Sequence, residues 1–245
     1  MIKIIMHFTK LVITIISSLL LFSCGFSNNL NMVSGSGNVV TENREISSDF
    51  KSVSAASGLE VVLVQDSSNS VIVEADDNLQ QHIITEVESG NLKIKTDKNI
   101  RNAARKKVTV HFKSINSVKS SSGSSVVSNN TLKADTLTLD SSSGSSMKII
   151  AEATKLVCES SSGSDLKVLG QANILETKSS SGSMLNAGDV TARFVESKSS
   201  SGSLTTVKPI EKLTAKASSG SSIKYINTPK SISKEASSGG DISQK

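Results

Sequence analysis

Apolar and polar residues alternate along most of this chain, and the alternation keeps a fixed phase relative to a recurring serine-glycine box. Positions at odd distances from the box glycine are mostly apolar or small, such as Leu137 before Gly144 and Met147 after it. A period of two is that of a β-strand with one buried face. The box, Ser-Ser-Ser-Gly-Ser in its fullest form, recurs every 18 to 21 residues, at Gly123, Gly144, Gly163, Gly182, Gly202, Gly220 and Gly239.

Positions at even distances from the glycine are mostly polar, and the clearest of them lies four residues before it. A charged residue occupies this position in every copy: Lys119, Asp140, Glu159, Lys178, Lys198, Lys216 and Glu235. One face of each repeat is therefore predicted to be buried and the other wet. A low-complexity linker would not keep this phase through seven copies.

Each repeat of about 20 residues is too short to bury its own apolar face, so successive repeats must stack. Stacking places identical positions above one another at the strand spacing of about 4.8 Å. We therefore predict an all-β protein whose residues 115–245 form a right-handed parallel β-solenoid of about seven coils. The serine directly before each glycine is expected to point inward, and the glycine to permit a sharp bend.

The region before the repeats, residues 47–114, predicts a related β structure. Residues 50–63 align without a gap with residues 115–128, so Gly58 marks an eighth, earlier box. Four strand-like runs follow it, and Ser89-Gly90-Asn91 predicts a hairpin turn between the middle two. These runs form either an antiparallel cap or degenerate coils, and we favour strands continuous with the later repeats.

Residues 1–23 have the pattern of an export signal, with Lys3 and Lys10 around the start of a 12-residue apolar run, 11–22. That run is shorter than the ~20 residues that span a bilayer as a helix. The following Cys24 resembles the lipid-modified cysteine of bacterial lipoproteins, which implies an outer-membrane lipoprotein, periplasmic or surface-exposed. The alternative is an ordinary signal peptide ending near a cysteine. Residues 24–46 are predicted to be a flexible tether.

Composition excludes several functional classes. Only 3% of residues are aromatic and the net charge of +5 is spread without a basic run, which argues against nucleic-acid binding. If Cys24 is acylated, Cys158 has no disulfide partner. His82 and His111 are the only histidines after the signal, and no nucleotide, metal-ligand or nucleophile motif accompanies them. We predict no cofactor, no metal and no enzyme activity.

Two sets of charged residues are candidate surface-binding sites. Asp140 and Glu159 share an outward position on successive coils, and paired carboxylates at about 5–5.5 Å suit retaining glycoside hydrolysis. A polysaccharide-binding or polysaccharide-cleaving protein is therefore the alternative function. The row Lys178, Lys198 and Lys216 is a candidate contact for acidic glycans or anionic surfaces. Both sets also fit a simpler interpretation as a solvated face.

The chain's last box is followed only by residues 240–245, with no capping helix in the sequence pattern. An open solenoid end invites end-to-end self-association. Charges at Lys234, Glu235, Asp241 and Lys245 are the candidate protection against it.

The repeated serine-glycine boxes, behind an N-terminal β region and a lipoprotein-type signal, resemble the "putative auto-transporter adhesin, head GIN domain" family over residues 50–245. The resemblance implies a β fold and an adhesin-like role, and it brings no catalytic residues. The function we predict is a lipid-anchored envelope module that binds glycans or envelope proteins, or serves a structural role.

Overall fold

The computed structural model describes Lys10, residues 32–46 and residues 49–245. Cys24 and the predicted signal, apart from Lys10, therefore lie outside the described residues. One 3-10 helix, Asp77–His82, interrupts a chain of strands. In chain order the strands are β1 (Met32–Val33), β2 (Val39–Arg44), β3 (Ser52–Ala55), β4 (Glu60–Gln65), β5 (Ser70–Asp76), β6 (Ile83–Glu88), β7 (Asn91–Thr96), β8 (Asn99–Ile100), β9 (Lys106–Phe112), β10 (Ser117–Ser120), β11 (Ser125–Ser128), β12 (Leu132–Ser141), β13 (Ser146–Ser160), β14 (Asp165–Ser179), β15 (Met184–Ser199), β16 (Leu204–Ala217), β17 (Ser222–Tyr225), β18 (Ser231–Ala236) and β19 (Asp241–Gln244).

From β10 to β19 the strands stack in parallel, one coil upon the next, and this confirms the predicted β-solenoid. The register matches equivalent repeat positions: Leu137 lies opposite Leu156, and Leu156 lies opposite Leu175. All three leucines are fully buried. Residues at odd distances from the box glycine therefore form continuous apolar columns inside the stack, as their spacing predicts.

Each box folds as a tight turn in which two successive residues take the left-handed conformation. In one copy Ser143 has φ 52° and Gly144 has φ 67°. The Ser145 amide donates to the Ser142 carbonyl at 3.1 Å, which closes a four-residue turn with positive φ at both central positions. A Cβ on Gly144 would meet no atom within 4 Å, so the glycine is needed for its backbone conformation rather than for space.

The prediction that the serine before each glycine points inward is wrong. Ser143 and its equivalents lie at the exposed tip of the turn, because two left-handed residues interrupt the strand alternation. The buried serines are instead those three before and one after the glycine. Their hydroxyls bond across the turn, as between Ser141 and Ser145 at 3.0 Å, and the Ser145 hydroxyl donates to the Ser120 carbonyl of the preceding coil at 2.8 Å.

The Gly58 coil stacks directly on the Gly123 coil, although the two boxes are far apart in sequence. Strand β3 pairs in parallel with β10 and β4 with β11, and the Gly58 amide donates to the Ser122 carbonyl at 3.0 Å. On the other side of this coil, β7 pairs in parallel with β3 and β9 with β4. The intervening chain thus adds one more rung at the N-terminal end of the stack.

Beyond that rung the pairing becomes antiparallel. Strand β6 pairs with β7 through the predicted hairpin at Ser89 and Gly90, and β5 pairs with β9. Residues 47–114 therefore contain both alternatives considered from sequence: strands continuous with the repeats, and an antiparallel cap over them.

The prediction of a flexible tether is wrong for residues 32–46. Strand β2 pairs antiparallel with β5 over six residues, and β1 pairs in parallel with β8. The Gly37 amide donates to the buried Asp76 carboxylate at 2.8 Å. This segment folds because β5 offers a free edge and the alternating residues of β2 can pair with it.

Candidate binding surfaces

The structure brings all five predicted surface-binding residues into one outward-facing column. Across β12 to β16 the in-register neighbours run from Asp140 to Glu159 to Lys178 to Lys198 to Lys216. Lys119 precedes this column and Glu235 follows it. The repeat spacing alone was sufficient to predict this geometry.

The Asp140 and Glu159 pair has lysines on both sides. Lys119 Nζ lies 4.0 Å from Asp140, and Lys178 follows Glu159 in register. Glu159 borders a shallow groove of about 320 Å³ together with Glu176 and Lys178, whereas Asp140 does not border it. Glycoside hydrolysis needs two carboxylates that face one bound sugar, and this groove presents only one of the two.

Two of the three lysines in the predicted row are engaged in ion pairs. Lys198 Nζ lies 2.6 Å from Glu196, whose hydrogen bond raises the pKa of Lys198, and Lys216 lies 2.5 Å from Glu235. Lys178 makes no ion pair within the part of the chain that the structure describes. The row therefore carries less unbalanced positive charge than the sequence indicates.

A second groove, which sequence reasoning missed, crosses the strands β12 to β15. Alanines form its floor: Ala134, Ala153 and Ala172 lie in register on β12, β13 and β14. The groove is open, has a volume of about 800 Å³, and is lined by Lys133, Ala134, Asp135, Glu152, Ala153, Thr154, Gln171, Ala172, Asn173, Thr191 and Arg193. The recurrence of alanine ten residues before successive box glycines is the signal that predicts it.

A third surface surrounds Phe194, which lies on the outward side of β15 next to the groove. Its side chain is 40% exposed, and Arg193 lies over its ring at 5.4 Å from the centroid. Ile174 on β14 and Lys212 on β16 flank it in register. A large aromatic residue at an even distance from the box glycine, where other repeats carry polar residues or Ile174, is the sequence signal that was overlooked.

The titratable groups of the N-terminal region form separate pairs. His111 Nδ1 lies 2.6 Å from Asp66, and this hydrogen bond is the main cause of an Asp66 pKa lowered to about 2. His82 Nδ1 lies 3.0 Å from Asp97. Among the described residues no three His, Cys, Asp or Glu side chains are grouped to hold a metal ion. Cys158 is a buried free thiol whose pKa is raised by burial, which makes it a poor nucleophile.

Solved structures of proteins from Bacteroides and Parabacteroides share this architecture. A putative adhesin from Bacteroides fragilis is 23% identical, with a TM-score of 0.82 over 87% of this chain and 100% of the other. A putative lipid-binding protein from Parabacteroides distasonis is 20% identical, with a TM-score of 0.73 over 87% of this chain and 99% of the other. A putative adhesin from Parabacteroides merdae is 18% identical, with a TM-score of 0.69 over 88% and 99% of the two chains. At these identities the likeness establishes the fold alone.

A search of curated proteins finds no significant match. A family model described as "Putative auto-transporter adhesin, head GIN domain" matches residues 49–229, which include every coil from the Gly58 box to β17. The turn geometry, the stacked register and this match agree, and the chain belongs to the head GIN domain family.

Proposed function

We propose that this protein is an exported, lipid-anchored, non-catalytic binding module of the bacterial outer envelope, with an adhesin-like role. The observation that carries this proposal is the outer surface of the stack. It presents charged side chains in register, one per coil, at intervals of about 4.8 Å. A repetitive polymer meets several equivalent contacts on such a surface, and each additional contact adds avidity.

The shape of the surface also favours binding over catalysis. The grooves found on the described residues are open and shallow, and they lie on the outside of a continuous core. Enzyme sites usually enclose the substrate so that water is excluded and reacting groups are aligned. Carbohydrate cleavage by Asp140 and Glu159 remains the alternative, because their backbones are adjacent in register.

The proposed anchor is an acyl chain on Cys24, with export directed by residues 1–23. No helix in the described part of the chain is long and apolar enough to cross a membrane. We expect radiolabelled palmitate to be incorporated by the wild-type chain in cells, and not by Cys24→Ser. Labelling that persists in Cys24→Ser would contradict the assignment of Cys24.

Binding and cleavage are separated by one experiment on the full-length chain purified in detergent. We expect the protein to bind soluble and insoluble envelope polysaccharides. We also expect it to release no reducing ends from them over several hours. Release of reducing ends that is abolished in both Asp140→Ala and Glu159→Ala would instead establish the enzyme. If the protein neither binds nor cleaves any polysaccharide or envelope fraction, the proposal of a binding module is wrong.

Location is tested separately by labelling Lys216, which is half exposed, with a membrane-impermeant amine reagent on intact cells. Reaction on intact cells places the domain at the cell surface. Reaction only after the outer membrane is opened places it in the periplasm.

A further inference from the structure

Among the residues that the structure describes, Phe194 is the one aromatic side chain exposed to solvent. The other described aromatic residues, Phe50, Phe112 and Tyr225, are at most 7% exposed. Aromatic residues are scarce in this chain, at 3% of its residues, and these three described ones are all buried in the core. A ring left in water forgoes the stabilisation that burial supplies, about 25 cal/mol for each Å² of apolar surface.

Phe194 is not an isolated apolar residue, because its in-register neighbour on β14 is Ile174. Ile174 is half-buried, and the two side chains form an outward apolar step across adjacent strands. Phe194, Ile174 and Lys212 line a common shallow depression with a volume of about 240 Å³. This platform is open to solvent. Glu176, Glu196 and Lys212 lie at its margin, and the Arg193 guanidinium lies over the Phe194 ring beside it.

The acidic and the basic residues around the platform differ in whether they form ion pairs. The carboxylates are paired: Glu176 lies 2.7 Å from Lys155, and Glu196 lies 2.6 Å from Lys198. Arg193 and Lys212 make no ion pair within 4 Å in the described part of the chain. Glu211, a third carboxylate near Arg193, is itself 2.9 Å from Lys230. All three carboxylates thus have a lysine partner, while Arg193 and Lys212 lie beside the ring, so the platform complements an anion.

We propose that Phe194, Arg193 and Lys212 form a binding site for an acidic pyranose unit of a polysaccharide, such as a uronic acid. The C–H face of the sugar ring packs against the exposed part of the Phe194 side chain, beside the Arg193 guanidinium. The sugar carboxylate is held by the Arg193 guanidinium, whose planar fork suits a carboxylate, and by the Lys212 ammonium. This inference deepens the proposed function, on which it rests, by naming the class of ligand.

The neighbouring geometry favours a sugar over a peptide. Strand β15 is paired on both edges, with β14 and β16, so an extended peptide has no free edge there to join as an added strand. The depression has room for one ring rather than for a helix. Thr214 and the Glu196 carboxylate, on the same margin, provide hydrogen-bonding groups for sugar hydroxyls.

The probe is polygalacturonate, compared with the neutral polymer dextran, and binding to the full-length protein is measured by calorimetry at low salt. We expect polygalacturonate to bind and dextran to bind at least tenfold more weakly. Phe194→Ala should weaken polygalacturonate binding about tenfold or more, and Lys212→Gln about fivefold. Phe194→Tyr keeps a ring and should retain binding. Circular dichroism and melting verify that each variant is folded.

The matched control is Lys148→Gln, which removes the same charge from an exposed lysine on β13, at a position after the box rather than before it. It should change polygalacturonate affinity less than twofold. If Phe194→Ala binds polygalacturonate as tightly as wild-type protein does, the proposed site at Phe194 is wrong, while the proposed function as a binding module stands. Equal binding of polyglutamate with the same variant sensitivity would overturn the sugar assignment. If the protein binds other envelope polysaccharides but no uronic acid polymer, the ligand class is wrong while the proposed function stands.

Discussion

The two ends of the stack are closed in different ways. At the N-terminal end, the 3-10 helix Asp77–His82 and the antiparallel strands β2, β5 and β6 lie beyond the last parallel rung, and Leu79 and Gln80 of the helix are buried. At the C-terminal end, no described element covers β18, and all six of its residues are exposed. Ile232 lies seven residues before the last box glycine and opposite buried Leu213, yet it is 40% exposed. The predicted burial of apolar residues at odd distances from the glycine therefore fails in this last coil.

A single charge replaces the cap at the C-terminal end. Lys234 occupies the column that holds buried Leu139 and Cys158 in earlier coils. Its ammonium group donates to Tyr225 Oη at 2.8 Å and to the Ile242 carbonyl at 3.3 Å, and it lies 4.5 Å from the centre of the Tyr225 ring. An inward-pointing charge on an edge strand is a known protection against edge-to-edge pairing. One end is thus covered, and the other is made unattractive to another strand.

The largest expected difference between the ends concerns their apolar residues. Leu79→Ala should lower the free energy of unfolding by about 2–5 kcal/mol, because it leaves a cavity under the cap. Ile232→Ala should lower it by less than about 1 kcal/mol, since that side chain is already half in water. Urea denaturation of the two variants measures both values. Equal losses would show that the ends are not different in packing.

The next largest change in the free energy of unfolding is expected at Asp76, whose hydrogen bonds join segments of the N-terminal cap. Its buried carboxylate accepts from the amides of Arg105 and Gly37 at 2.9 and 2.8 Å and from Ala104 at 3.3 Å. Asp76→Asn should cost about 1–3 kcal/mol at neutral pH, because an amide is a weaker acceptor and brings its own N–H groups. Asp135→Asn, at an exposed site, should change stability by less than about 0.5 kcal/mol.

The same contacts predict a pH dependence. The amide donors, with Arg105 first, lower the pKa of Asp76 below its ordinary value of 3.8. A carboxyl group whose pKa is lower in the folded state stabilises the fold above its unfolded pKa, and this contribution is lost as pH falls through the folded pKa. Wild-type protein should therefore lose stability below about pH 4 more steeply than Asp76→Asn. Parallel pH profiles would exclude this contribution.

Lys234→Met is expected to change the free energy of unfolding least of these variants. It is expected instead to change the oligomeric state. Removing the charge leaves an apolar, unpaired edge, so the variant should self-associate as concentration rises while wild-type protein stays monomeric. Sedimentation at several concentrations measures this. Lys224→Met, an outward-facing lysine on β17, is the control for added apolar surface. Association of both variants, or of wild-type protein, would refute the role of Lys234.

The repetitive part of the fold was predictable because its signal is local and repeated. One residue in two is buried, so Leu156 in the core and Lys178 on the outer column follow from their distance to the nearest glycine. The prediction from alternation was wrong at Ser143, because two successive residues in the left-handed conformation interrupt the period of two that a strand follows. The failure at residues 32–46 has another cause. Strand β2 pairs with the edge of β5, and a pairing between residues 27 to 37 positions apart leaves no local pattern in the sequence.

The candidate site was less accessible to prediction. The column of five charged residues followed from spacing, but the ion pairs that occupy Lys198 and Lys216 depend on side-chain geometry. Phe194 was overlooked for a related reason. Its interest depends on Arg193 and Lys212, which make no ion pair among the described residues. This becomes visible only when the partners of Glu176 and Glu196 are known.

The stack has one continuous core. Helix and antiparallel strands cover its N-terminal end, and among the described residues the charge of Lys234 protects its C-terminal edge from pairing. Hydrogen exchange of the backbone amides, read strand by strand, tests this arrangement most directly. We predict the slowest exchange in β13 to β15, similarly slow exchange in β5 beneath its partner β2, and the fastest exchange among the strands of the stack in β18 and β19. Protection of β18 equal to that of β13, together with rapid exchange of β5, would contradict this account.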